Sequence, residues 1–263
     1  MTPPTRTFTE LASLSGRVAL VTGANGHIGS VFCSALEELG ARVAAADLAA
    51  AGHAEESRGR ERFPVDLRSE QDTRQLIPRV LDRFGRLDVF VHCAAYVGTT
   101  SVEGWSAPFG EQSVAAWDEA LRVNLTAAFV LGQEARAALT RSGHGSIVLV
   151  SSIYGVVSSD PRLYDGTEMH SPAGYSASKA GLIQLARHMA VEFAPGVRVN
   201  TLAPGGVWRA QPRAFVERYE ARTPLRRMAR EEDLKGALAF LASDLSSYVT
   251  GHNLVVDGGW TTW

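Results

Sequence analysis

The sequence contains few of the features that mark secreted, membrane-spanning or metal-binding proteins. Only two of its 263 residues are cysteines, Cys33 and Cys93, and no C-x-x-C spacing occurs, so we expect neither a disulfide framework nor a bound metal. No apolar run approaches the roughly 20 residues that a membrane-spanning helix needs. Residues 1–16 are polar and lack the apolar segment of a secretory signal.

An excess of charge of one sign is missing as well. Lysine and arginine together number 26 and aspartate and glutamate 28, which leaves a net charge of −2, and the basic residues form no block. This balance argues against nucleic acid or a membrane surface as a partner. The hydrophobic fraction of 45% and the charged fraction of 21% are those of an ordinary globular protein. We therefore expect a soluble, cytoplasmic protein whose partner is a small molecule.

What the sequence does contain is a regular alternation of short apolar runs with longer segments of helical periodicity. Continuous apolar strands that alternate with helices are typical of a parallel sheet covered on both faces. We therefore predict an α/β fold over residues 15–263, a single Rossmann-type doubly wound parallel sheet flanked by helices on both faces, after a polar N-terminal extension at 1–14. The predicted strands are 18–22, 42–47, 89–93, 146–152, 198–203 and 253–256, with a weaker one at 63–66, and the predicted helices are 28–40, 69–84, 114–141, 174–194 and 230–242.

Three long segments, 96–113, 153–173 and 205–229, show no clear periodicity. Each follows the carboxyl end of a predicted strand, which is where open α/β sheets bind ligands. Loops of this length in a compact protein are usually functional or disordered. We interpret them as substrate loops, with surface decoration as the alternative for any one of them.

A glycine-rich turn stands between the first predicted strand and the first predicted helix. Residues 22–29 read Thr-Gly-Ala-Asn-Gly-His-Ile-Gly, which uses three of the 25 glycines of the chain, Gly23, Gly26 and Gly29. Such a turn lets backbone N–H groups approach a phosphate at a helix N-terminus, where the helix dipole favours negative charge. The flanking strand and helix supply the context that a nucleotide-binding turn requires.

An acidic residue ends the second predicted strand. Asp47 follows Gly29 by 18 residues, close to the roughly 20 expected for a carboxylate that binds the adenosine ribose of a dinucleotide. A carboxylate accepts hydrogen bonds from ribose hydroxyls and repels a 2′-phosphate. We therefore predict NAD as the cofactor in preference to NADP. The alternative is that Asp47 is a solvated strand-end charge or a helix cap.

A phenol and an ammonium group lie four residues apart in Tyr175-Ser-Ala-Ser-Lys179. In a helix this spacing brings both side chains to one face, and a nearby ammonium favours the phenolate. We expect Lys179 to lower the pKa of Tyr175 and Tyr175 to act as a general acid/base. The preceding strand ends at Ser152, whose hydroxyl could stabilise charge on a carbonyl oxygen. Asn124 lies in a predicted helix. The alternative to a functional role is a structural one, as a capping amide or as a buried core amide.

These features occur together and in order with Asp66-Leu67, Pro204-Gly205 and the tail at 249–259. From about Ser15 to its end, the chain resembles the short-chain dehydrogenase/reductase superfamily. The resemblance implies a catalytic tetrad of Asn124, Ser152, Tyr175 and Lys179. Ser152, rather than Ser151, would polarise the substrate oxygen, Tyr175 would exchange its proton, Lys179 would bind the nicotinamide ribose, and Asn124 would anchor a proton-relay water.

The resemblance also implies which residues bind the cofactor and how the chains assemble. Members of the family are usually tetramers or dimers built through two long helices, here 114–141 and 174–194, so we expect a homotetramer or homodimer. Tyr154 and Tyr164 have no lysine four residues on, so neither competes with Tyr175. The cofactor contacts implied are Gly23, Asn25, Gly26, His27, Ile28, Gly29, Asp47, Asp66, Leu67, Cys93, Ala94, Ala95, Tyr175, Lys179, Pro204, Gly205 and Val207.

The chain departs from the family pattern at three places. His27 stands where the family has a glycine. His92 replaces an amide in the segment 92–95, and we interpret it as a core histidine whose hydrogen bonds are satisfied. Arg209 replaces a threonine that often follows Pro-Gly in the family. This replacement puts a nicotinamide or phosphate contact in question, and it introduces a candidate contact with the substrate.

The segment between Ser152 and Tyr175 is longer than is usual in the family. Its polar and aromatic side chains favour a substrate with many hydroxyls, and parts of 154–167 and 204–207 resemble enzymes of bacterial sugar and polysaccharide biosynthesis, including nonulosonate pathways. The alternative is that this loop packs on a neighbouring subunit. The candidate substrate residues are Ser152, Tyr154, Tyr164, Trp208 and Arg209.

The predicted function is an NAD(H)-dependent oxidoreductase that interconverts a secondary alcohol and a ketone. The predicted substrate is a sugar or a sugar derivative, and this class includes phosphate-linked and nucleotide-linked sugars. One alternative is a ketoreductase of an antibiotic or lipid pathway with a less polar substrate. Another is a catalytically silent NAD-binding regulatory protein. A sugar epimerase is disfavoured, because related epimerases carry a separate substrate domain.

Overall fold

A seven-stranded, fully parallel sheet forms the centre of the molecule. The computed structural model of the chain describes residues 5–48 and 59–263. The strand order is β3-β2-β1-β4-β5-β6-β7, so the predicted Rossmann-type sheet is confirmed. The strands are β1 Val18–Thr22, β2 Arg42–Asp47, β3 Arg60–Pro64, β4 Val89–His92, β5 Gly145–Val150, β6 Val197–Pro204 and β7 Asn253–Val256.

Helices cover both faces of this sheet. Leu76, Leu131 and Leu182 represent the helices that pack on one face, and Phe32 and Leu238 represent those on the other. Because both faces are covered, the central strands are apolar along their whole length; every residue of β1 and β5 is buried. The α-helices are α1 Phe8–Ala12, α2 His27–Glu38, α3 Glu70–Phe84, α4 Val114–Leu121, α5 Ala127–Ser142, α6 Ala173–Glu192, α7 Arg213–Arg222 and α8 Lys235–Ala242.

The predicted helix 114–141 contains one wide turn. A π-helix over Arg122–Thr126 joins α4 to α5, so the helix is continuous but contains one turn with hydrogen bonds between residues five apart. Hydrophobic periodicity could not detect this turn, because the apolar residues on both sides still face the core. Wide turns of this kind are frequent at functional sites.

Two other predictions are corrected by the structure. The segment 205–229, interpreted as irregular, contains α7, whose inward side chains Phe215 and Tyr219 are buried. The weak strand predicted at 63–66 lies earlier, at Arg60–Pro64. Charged residues outnumber apolar ones in β3 and equal them in α7, which weakened the periodic signal.

The N-terminal stretch interpreted as a polar extension packs against the rest of the chain, as far as the described residues show. The short α1 begins with a capping box between Thr7 and Glu10, and Leu14 is fully buried. Arg6 and Arg17 both bind the carboxylate of Asp244, in the short turn that follows α8. Residues 1–4 lie outside the described residues.

The carboxyl ends of all seven strands meet at one edge of the sheet, because the strands are parallel. The direction in which successive strands are added to the sheet reverses between β1 and β4, the point where doubly wound sheets open a crevice. Among the described helices, none is long and apolar enough to cross a membrane.

Candidate active site

A cavity of about 660 Å³ opens at the carboxyl ends of β1, β2 and β4. The structure brings together here most of the residues that the resemblance implied for the cofactor. We call this surface the cofactor wall. Its predicted members are Gly23, Asn25, Gly26, His27, Ile28, Gly29, Asp47, Asp66, Leu67, Cys93, Ala94 and Ala95, and Arg209 lines the same cavity.

The glycines of the turn are required by close backbone packing. Gly23 has a left-handed φ of 67°, and a Cβ there would lie 2.6 Å from the backbone of Ala94. A Cβ on Gly29 would lie 2.0 Å from the carbonyl oxygen of Gly23. Gly26 is the N-cap of α2 and provides no side-chain cap, so the first turn of that helix presents N–H groups that a phosphate can bind. His27 is exposed at this rim and does not fill the turn.

Asp47 lies at the rim of the cavity, between the glycine turn and the chain that follows β2. Its carboxylate accepts hydrogen bonds from the backbone N–H groups of Asn25 and Leu48, both at 2.8 Å. The carboxylate therefore holds the glycine turn as well as facing the cavity. Of its predicted neighbours, Ala49 and Ala50 lie outside the described residues. A wall of small residues with a carboxylate at its rim fits an adenine dinucleotide.

Asp66 is also at this wall, but its charge is already paired. Arg68 donates to both Asp66 oxygens, at 2.9 and 2.7 Å, and this pairing lowers the pKa of Asp66. The Asp66 backbone N–H is bound by Asp72. Arg68 lies within 3.4 Å of Glu119 as well, so two carboxylates compete for its guanidinium.

Helix α6 places Tyr175 and Lys179 on one face, as the spacing predicts. The Lys179 side chain is almost fully buried; its ammonium lies 5.6 Å from the centre of the Tyr175 ring and donates to the carbonyl oxygen of Val150 at 2.7 Å. Burial lowers the pKa of Lys179 to about 8. The ammonium form still dominates at neutral pH.

The expected lowering of the Tyr175 pKa is wrong for this structure. Loss of hydration raises the pKa of Tyr175, and the hydrogen-bonding side chain of Ser152 opposes this only in part. The physical reason is that burial of the phenol outweighs the favourable interactions around it, while the Lys179 ammonium donates to the carbonyl oxygen of Val150. At neutral pH the phenol is therefore protonated, which is the form that can donate a proton to a carbonyl oxygen.

The two candidate serines have different partners. Ser151 donates its hydroxyl proton to the carbonyl oxygen of Lys179 at 2.7 Å, so it holds α6 against the end of β5. Ser152 accepts from the N–H of Tyr154 at 3.1 Å and interacts with Tyr175. Of the two, Ser152 is the hydroxyl that a substrate beside Tyr175 could reach.

Asn124 lies in the π-helix and is fully buried. Its carboxamide oxygen accepts from the N–H of Tyr96 at 2.7 Å, and its amide donates to Ser178 at 3.0 Å. Ser178 in turn donates to the carbonyl oxygen of Tyr175 at 2.8 Å. The amide thus links the loop after β4 to the helix that carries the tyrosine.

The interpretation of His92 as a satisfied core histidine is half correct. The ring is fully buried, and its Nδ1 shares a hydrogen bond with Thr22 at 2.9 Å, but Nε2 has no partner of good geometry. The ring also interacts with the backbone of Val123 and Asn124 at the π-helix. Burial lowers the pKa of His92 to about 3, so the ring is neutral.

The two cysteines are free thiols. Burial raises the pKa of Cys33 to about 12 and that of Cys93 to about 11. Both are therefore protonated at neutral pH, and the thiolate that nucleophilic chemistry requires is absent. Cys93 serves the cofactor wall by its small size.

Several predicted site residues lie outside the lining of this cavity. Pro204 and Gly205 end β6 beside Asp257, Val207 is buried in the core, and Trp208 is half exposed. A Cβ on Gly205 would lie 2.9 Å from the Asp257 backbone, so this glycine is required by close packing.

Tyr154 and Tyr164 belong to a separate aromatic cluster. Their hydroxyls share a hydrogen bond of 2.9 Å, and the cluster joins the loop 153–173, α7 and Trp260. Asp160 binds Arg222, whose guanidinium lies 4.3 Å from the centre of the Trp260 ring. We call this buried cluster the substrate wall, because it lies under the loop 153–173 that the sequence predicts to contact substrate; its side chains are Ile153, Tyr154, Leu163, Tyr164, Phe215, Tyr219, Met228 and Trp260.

Sequence reasoning missed some residues of both walls. Ser178 lies inside the Tyr175–Lys179 segment, and Tyr219 accepts from the N–H of Gly206. The one signal available for Ser178 was its place three residues after Tyr175, and none marked Tyr219. The further residues that line the cavity are Leu48, Val65, Arg68, Tyr96, Val97, Thr99 and Val123.

Comparison with known proteins is decisive for the family. A family model described as enoyl-(acyl carrier protein) reductase matches residues 23–261. A short-chain dehydrogenase from Leptospira borgpetersenii, solved with bound NAD+, superposes with a TM-score of 0.86 at 31% identity, covering 99% of this chain and 98% of that one. The chain belongs to the short-chain dehydrogenase/reductase family. It is thus an NAD(P)-dependent oxidoreductase.

Relatives within the short-chain dehydrogenase/reductase family act on different alcohols. A cis-4-hydroxycyclohexanecarboxylate dehydrogenase from Sinomonas cyclohexanicum is 36% identical, covering 93% of this chain and 96% of that protein. An NADP-dependent mannitol dehydrogenase from Hypocrea jecorina is 30% identical, covering 99% and 98%. The family and the alcohol–ketone reaction class are shared, while the substrates and the cofactor differ.

Proposed function

We propose that this short-chain dehydrogenase/reductase uses NAD(H) to interconvert a secondary alcohol and a ketone on a polyol, sugar or sugar derivative. The observation that carries the proposal is the placement of Tyr175 and Ser152 together at the end of the sheet, with the buried Lys179 behind them and the cofactor wall beside them. A dinucleotide held there would accept or supply the hydride.

The proton chemistry follows from the state of the two hydroxyls. In the reductive direction Ser152 donates a hydrogen bond to the substrate carbonyl oxygen, and Tyr175 gives its proton to that oxygen as the carbon is reduced. The raised pKa of Tyr175 keeps this proton available at neutral pH. In the oxidative direction the same phenol must first lose its proton, so oxidation is favoured at higher pH.

Lys179 supports the phenolate that forms during the reaction. Its ammonium lies 5.6 Å from the tyrosine ring, and a positive charge so near in a buried site favours the anion.

Asn124 has a positioning role. Its hydrogen bonds to Tyr96 and Ser178 hold the π-helix and α6 in register at the site.

The preference for NAD rests on Asp47. Its carboxylate is fixed at the cavity rim by the N–H groups of Asn25 and Leu48. Fixed negative charge there suits the two hydroxyls of an adenosine ribose and repels a phosphate on it. Asp47→Ser is expected to raise the affinity for NADP relative to NAD about tenfold or more by removing this charge.

The proposed substrate is polar because the loop between Ser152 and Tyr175 presents hydroxyls. The Tyr154 and Tyr164 hydroxyls pair with each other at 2.9 Å, and a polyol could exchange hydrogen bonds with both. The similarity to a mannitol dehydrogenase supports this class. The finer resemblance to enzymes of nonulosonate biosynthesis stays a prediction.

A second candidate substrate is an alicyclic hydroxy acid. The similarity to a hydroxycyclohexanecarboxylate dehydrogenase supports it.

A substrate screen tests these proposals. The absorbance of NADH and NADPH would be followed with sugar alcohols, sugar phosphates, nucleotide sugars, alicyclic hydroxy acids and apolar secondary alcohols. We expect turnover with NAD and a polyol or sugar derivative. Turnover confined to an alicyclic acid would favour the second candidate, turnover confined to apolar alcohols would overturn both, and a preference for NADP would overturn the role of Asp47.

We also propose that the protein self-associates through α4, α5 and α6. Val114, Phe129 and Val191 expose 74, 46 and 78% of their surface on these helices, which is much for large apolar side chains. Light scattering should give a dimer or tetramer. A monomer at assay concentration would overturn this proposal.

A further inference from the structure

Tyr96, in the segment that follows β4, is held by both its main chain and its side chain. Its N–H donates to the carboxamide oxygen of Asn124 at 2.7 Å, and its carbonyl oxygen accepts from the Asn124 amide at 3.3 Å. Its phenol donates to a carboxylate oxygen of Glu119 at 2.6 Å. Because Asn124 binds both main-chain groups of Tyr96, a contact that fixes the Tyr96 side chain also restrains the Asn124 carboxamide.

Glu119 and Asn124 belong to one continuous helix. Glu119 lies in the last turn of α4, and Asn124 lies in the π-helix that follows it directly. The helix therefore binds Tyr96 at two points, with Glu119 at the phenol and Asn124 at the main chain. These two contacts lie on either side of the place where regular α-helical hydrogen bonding ends, so together they fix the segment after β4 against the wide turn.

The bond between the Tyr96 phenol and the Glu119 carboxylate is charge-assisted. Bonds from a hydroxyl to a carboxylate are typically about 2.5–2.7 Å long and are stronger than bonds between neutral groups. Burial and the adjoining carboxylate raise the pKa of Tyr96 to about 12, so the phenol keeps the proton that it donates. The Tyr96 ring also packs edge-on against the buried ring of Trp105, with 6.2 Å between the ring centres. The side chain thus has one defined position between α4 and the loop 96–113.

Arg68 connects the same carboxylate to the cofactor cavity. Its Nη1 lies 3.4 Å from the Glu119 oxygen that accepts from Tyr96, and its Nε and Nη2 donate to Asp66. Asp66, Arg68 and Tyr96 all line the cavity. A continuous series of contacts therefore leads from the cavity to the helix that carries the proposed acid/base, in the order Asp66, Arg68, Glu119, Tyr96, Asn124, Ser178 and Tyr175.

The last members of this series reach the proposed acid/base. Asn124 donates to Ser178 at 3.0 Å, and Ser178 donates to the carbonyl oxygen of Tyr175 at 2.8 Å. A displacement of Asn124 is therefore passed to α6 at Tyr175. Such displacements matter, because a misplacement of about 1 Å that begins far from the reacting atoms can lower a rate about a hundredfold.

Given the proposed alcohol–ketone function, we propose that Glu119 is a positioning residue for this reaction, which acts through Tyr96 on Asn124 and through Asn124 on Tyr175. Glu119 does not itself line the cavity that the described residues form. Its removal should therefore lower the rate of the chemical step and leave the affinities for NADH and for the substrate near their native values.

Steady-state rates and NADH titrations test this inference, with the ketone found in the substrate screen. We expect Tyr96→Phe and Glu119→Ala each to lower kcat about tenfold, because each breaks one charge-assisted hydrogen bond. The double variant should be no slower than the slower single variant, because both substitutions remove the same contact. Glu119→Gln should recover part of kcat, since its carboxamide oxygen still accepts from the phenol. Asp118→Asn, at an exposed position one residue earlier in α4, is the matched control and should keep the native kcat.

Hydrogen–deuterium exchange without substrate measures the positioning directly. In Glu119→Ala the segment 93–98 should exchange several-fold faster than in the native protein, because the bond from the Tyr96 N–H to Asn124 is no longer supported at the side chain. Asp118→Asn should exchange like the native protein. Melting curves show whether each variant folds, and Tyr96→Phe and Glu119→Gln provide the test if Glu119→Ala does not.

Four outcomes would overturn the inference in an active enzyme. These are a native kcat in the Tyr96 and Glu119 variants, a lowered kcat with unchanged exchange, additive losses in the double variant, and a raised KM or weakened NADH binding at a native kcat. The last of these would assign the carboxylate to binding. A native protein that turns over no alcohol or ketone of the screen would overturn the proposed function itself and this inference with it.

Discussion

The cofactor wall and the substrate wall are built by different means. The cofactor wall consists of backbone and of very small side chains, with Gly23, Gly29 and Ala94 in contact through main-chain atoms. The substrate wall consists of large side chains from separate segments, held by ring stacking and by the ion pair of Asp160 with Arg222. The cofactor wall depends on the absence of side chains at its glycines, and the substrate wall depends on the presence of large side chains.

This difference teaches how each wall tolerates change. A backbone surface with no room for a Cβ is intolerant at every glycine, because the clash is with main chain that cannot move aside. A surface of side chains can repack, and its losses are graded. Tyr175 feels the electrostatic influence of both walls, through Cys93 of the cofactor wall and Tyr164 of the substrate wall, and each wall can be altered separately.

The largest expected effect lies where the two walls meet. Tyr175→Phe should lower kcat about a hundred- to ten-thousandfold, because a general acid/base is removed. NADH affinity should stay within a few-fold of the native value. Tyr154→Phe and Tyr164→Phe are the controls and should keep most of kcat. Steady-state rates and NADH titrations measure this, and retained turnover by the Tyr175 variant would refute the catalytic assignment.

The next effect tests the cofactor wall alone. Gly29→Ala places a Cβ 2.0 Å from the Gly23 carbonyl oxygen, so the turn must open and NADH affinity should fall about a hundredfold, equivalent to about 3 kcal/mol. Gly236→Ala in α8 is the control, since no atom lies within 4 Å of its Cβ, and it should raise stability by about 0.5–1 kcal/mol. Similar NADH affinities in both variants would show that the turn yields.

The third effect concerns the buried polar group under the cofactor wall. The folded pKa of His92 is about 3 and its usual value is 6.5, so only the unfolded chain takes up a proton between these values. Stability is therefore lost as pH falls from 6.5, by about 2 kcal/mol at pH 5. His92→Asn should remove that loss, while His188→Gln, at an exposed position on α6, should keep it. The free energy of unfolding, measured with denaturant at pH 7 and pH 5, tests this prediction. Equal losses of stability in the native protein and in both variants would contradict the burial argument.

The smallest effect belongs to the substrate wall. Asp160→Asn weakens the hold on Arg222 and on the ring of Trp260, and should raise the substrate KM about tenfold, the equivalent of one charged hydrogen bond. Binding of NADH should not change. Asp165→Asn, exposed in the same loop, is the control. If NADH affinity fell with KM, the two walls would not be independent.

Much of the cofactor side could be predicted from the sequence. Buried parallel strands are continuous apolar runs, and the bounds predicted for β1, β2 and β7 match the structure. Gly23, Gly29 and Asp47 were found because their chemistry depends on residue type and spacing within one strand–turn–helix unit. Such local rules need no knowledge of distant packing.

The rest depends on contacts between distant segments. Trp260 contacts Arg222 and Tyr154, and no local sequence pattern predicts these contacts. The hydrogen bond from the Lys179 ammonium to the Val150 carbonyl depends on how α6 packs on β5, and the raised pKa of Tyr175 depends on the burial of its phenol. α7 was missed because its charged residues hide the inward positions of Phe215 and Tyr219.

The π-helix at Arg122–Thr126 sets the position of Asn124 by chain length rather than by residue identity. A π-turn holds about one residue more than an α-turn, so deleting one residue here would restore a regular α-helix. Ala128, Leu131 and Leu139, all fully buried, would then keep their places in the core, while Asn124 would lose the position that the wide turn gives it. The turn thus holds one residue more than the packing of α5 requires, and point substitutions leave that length unchanged.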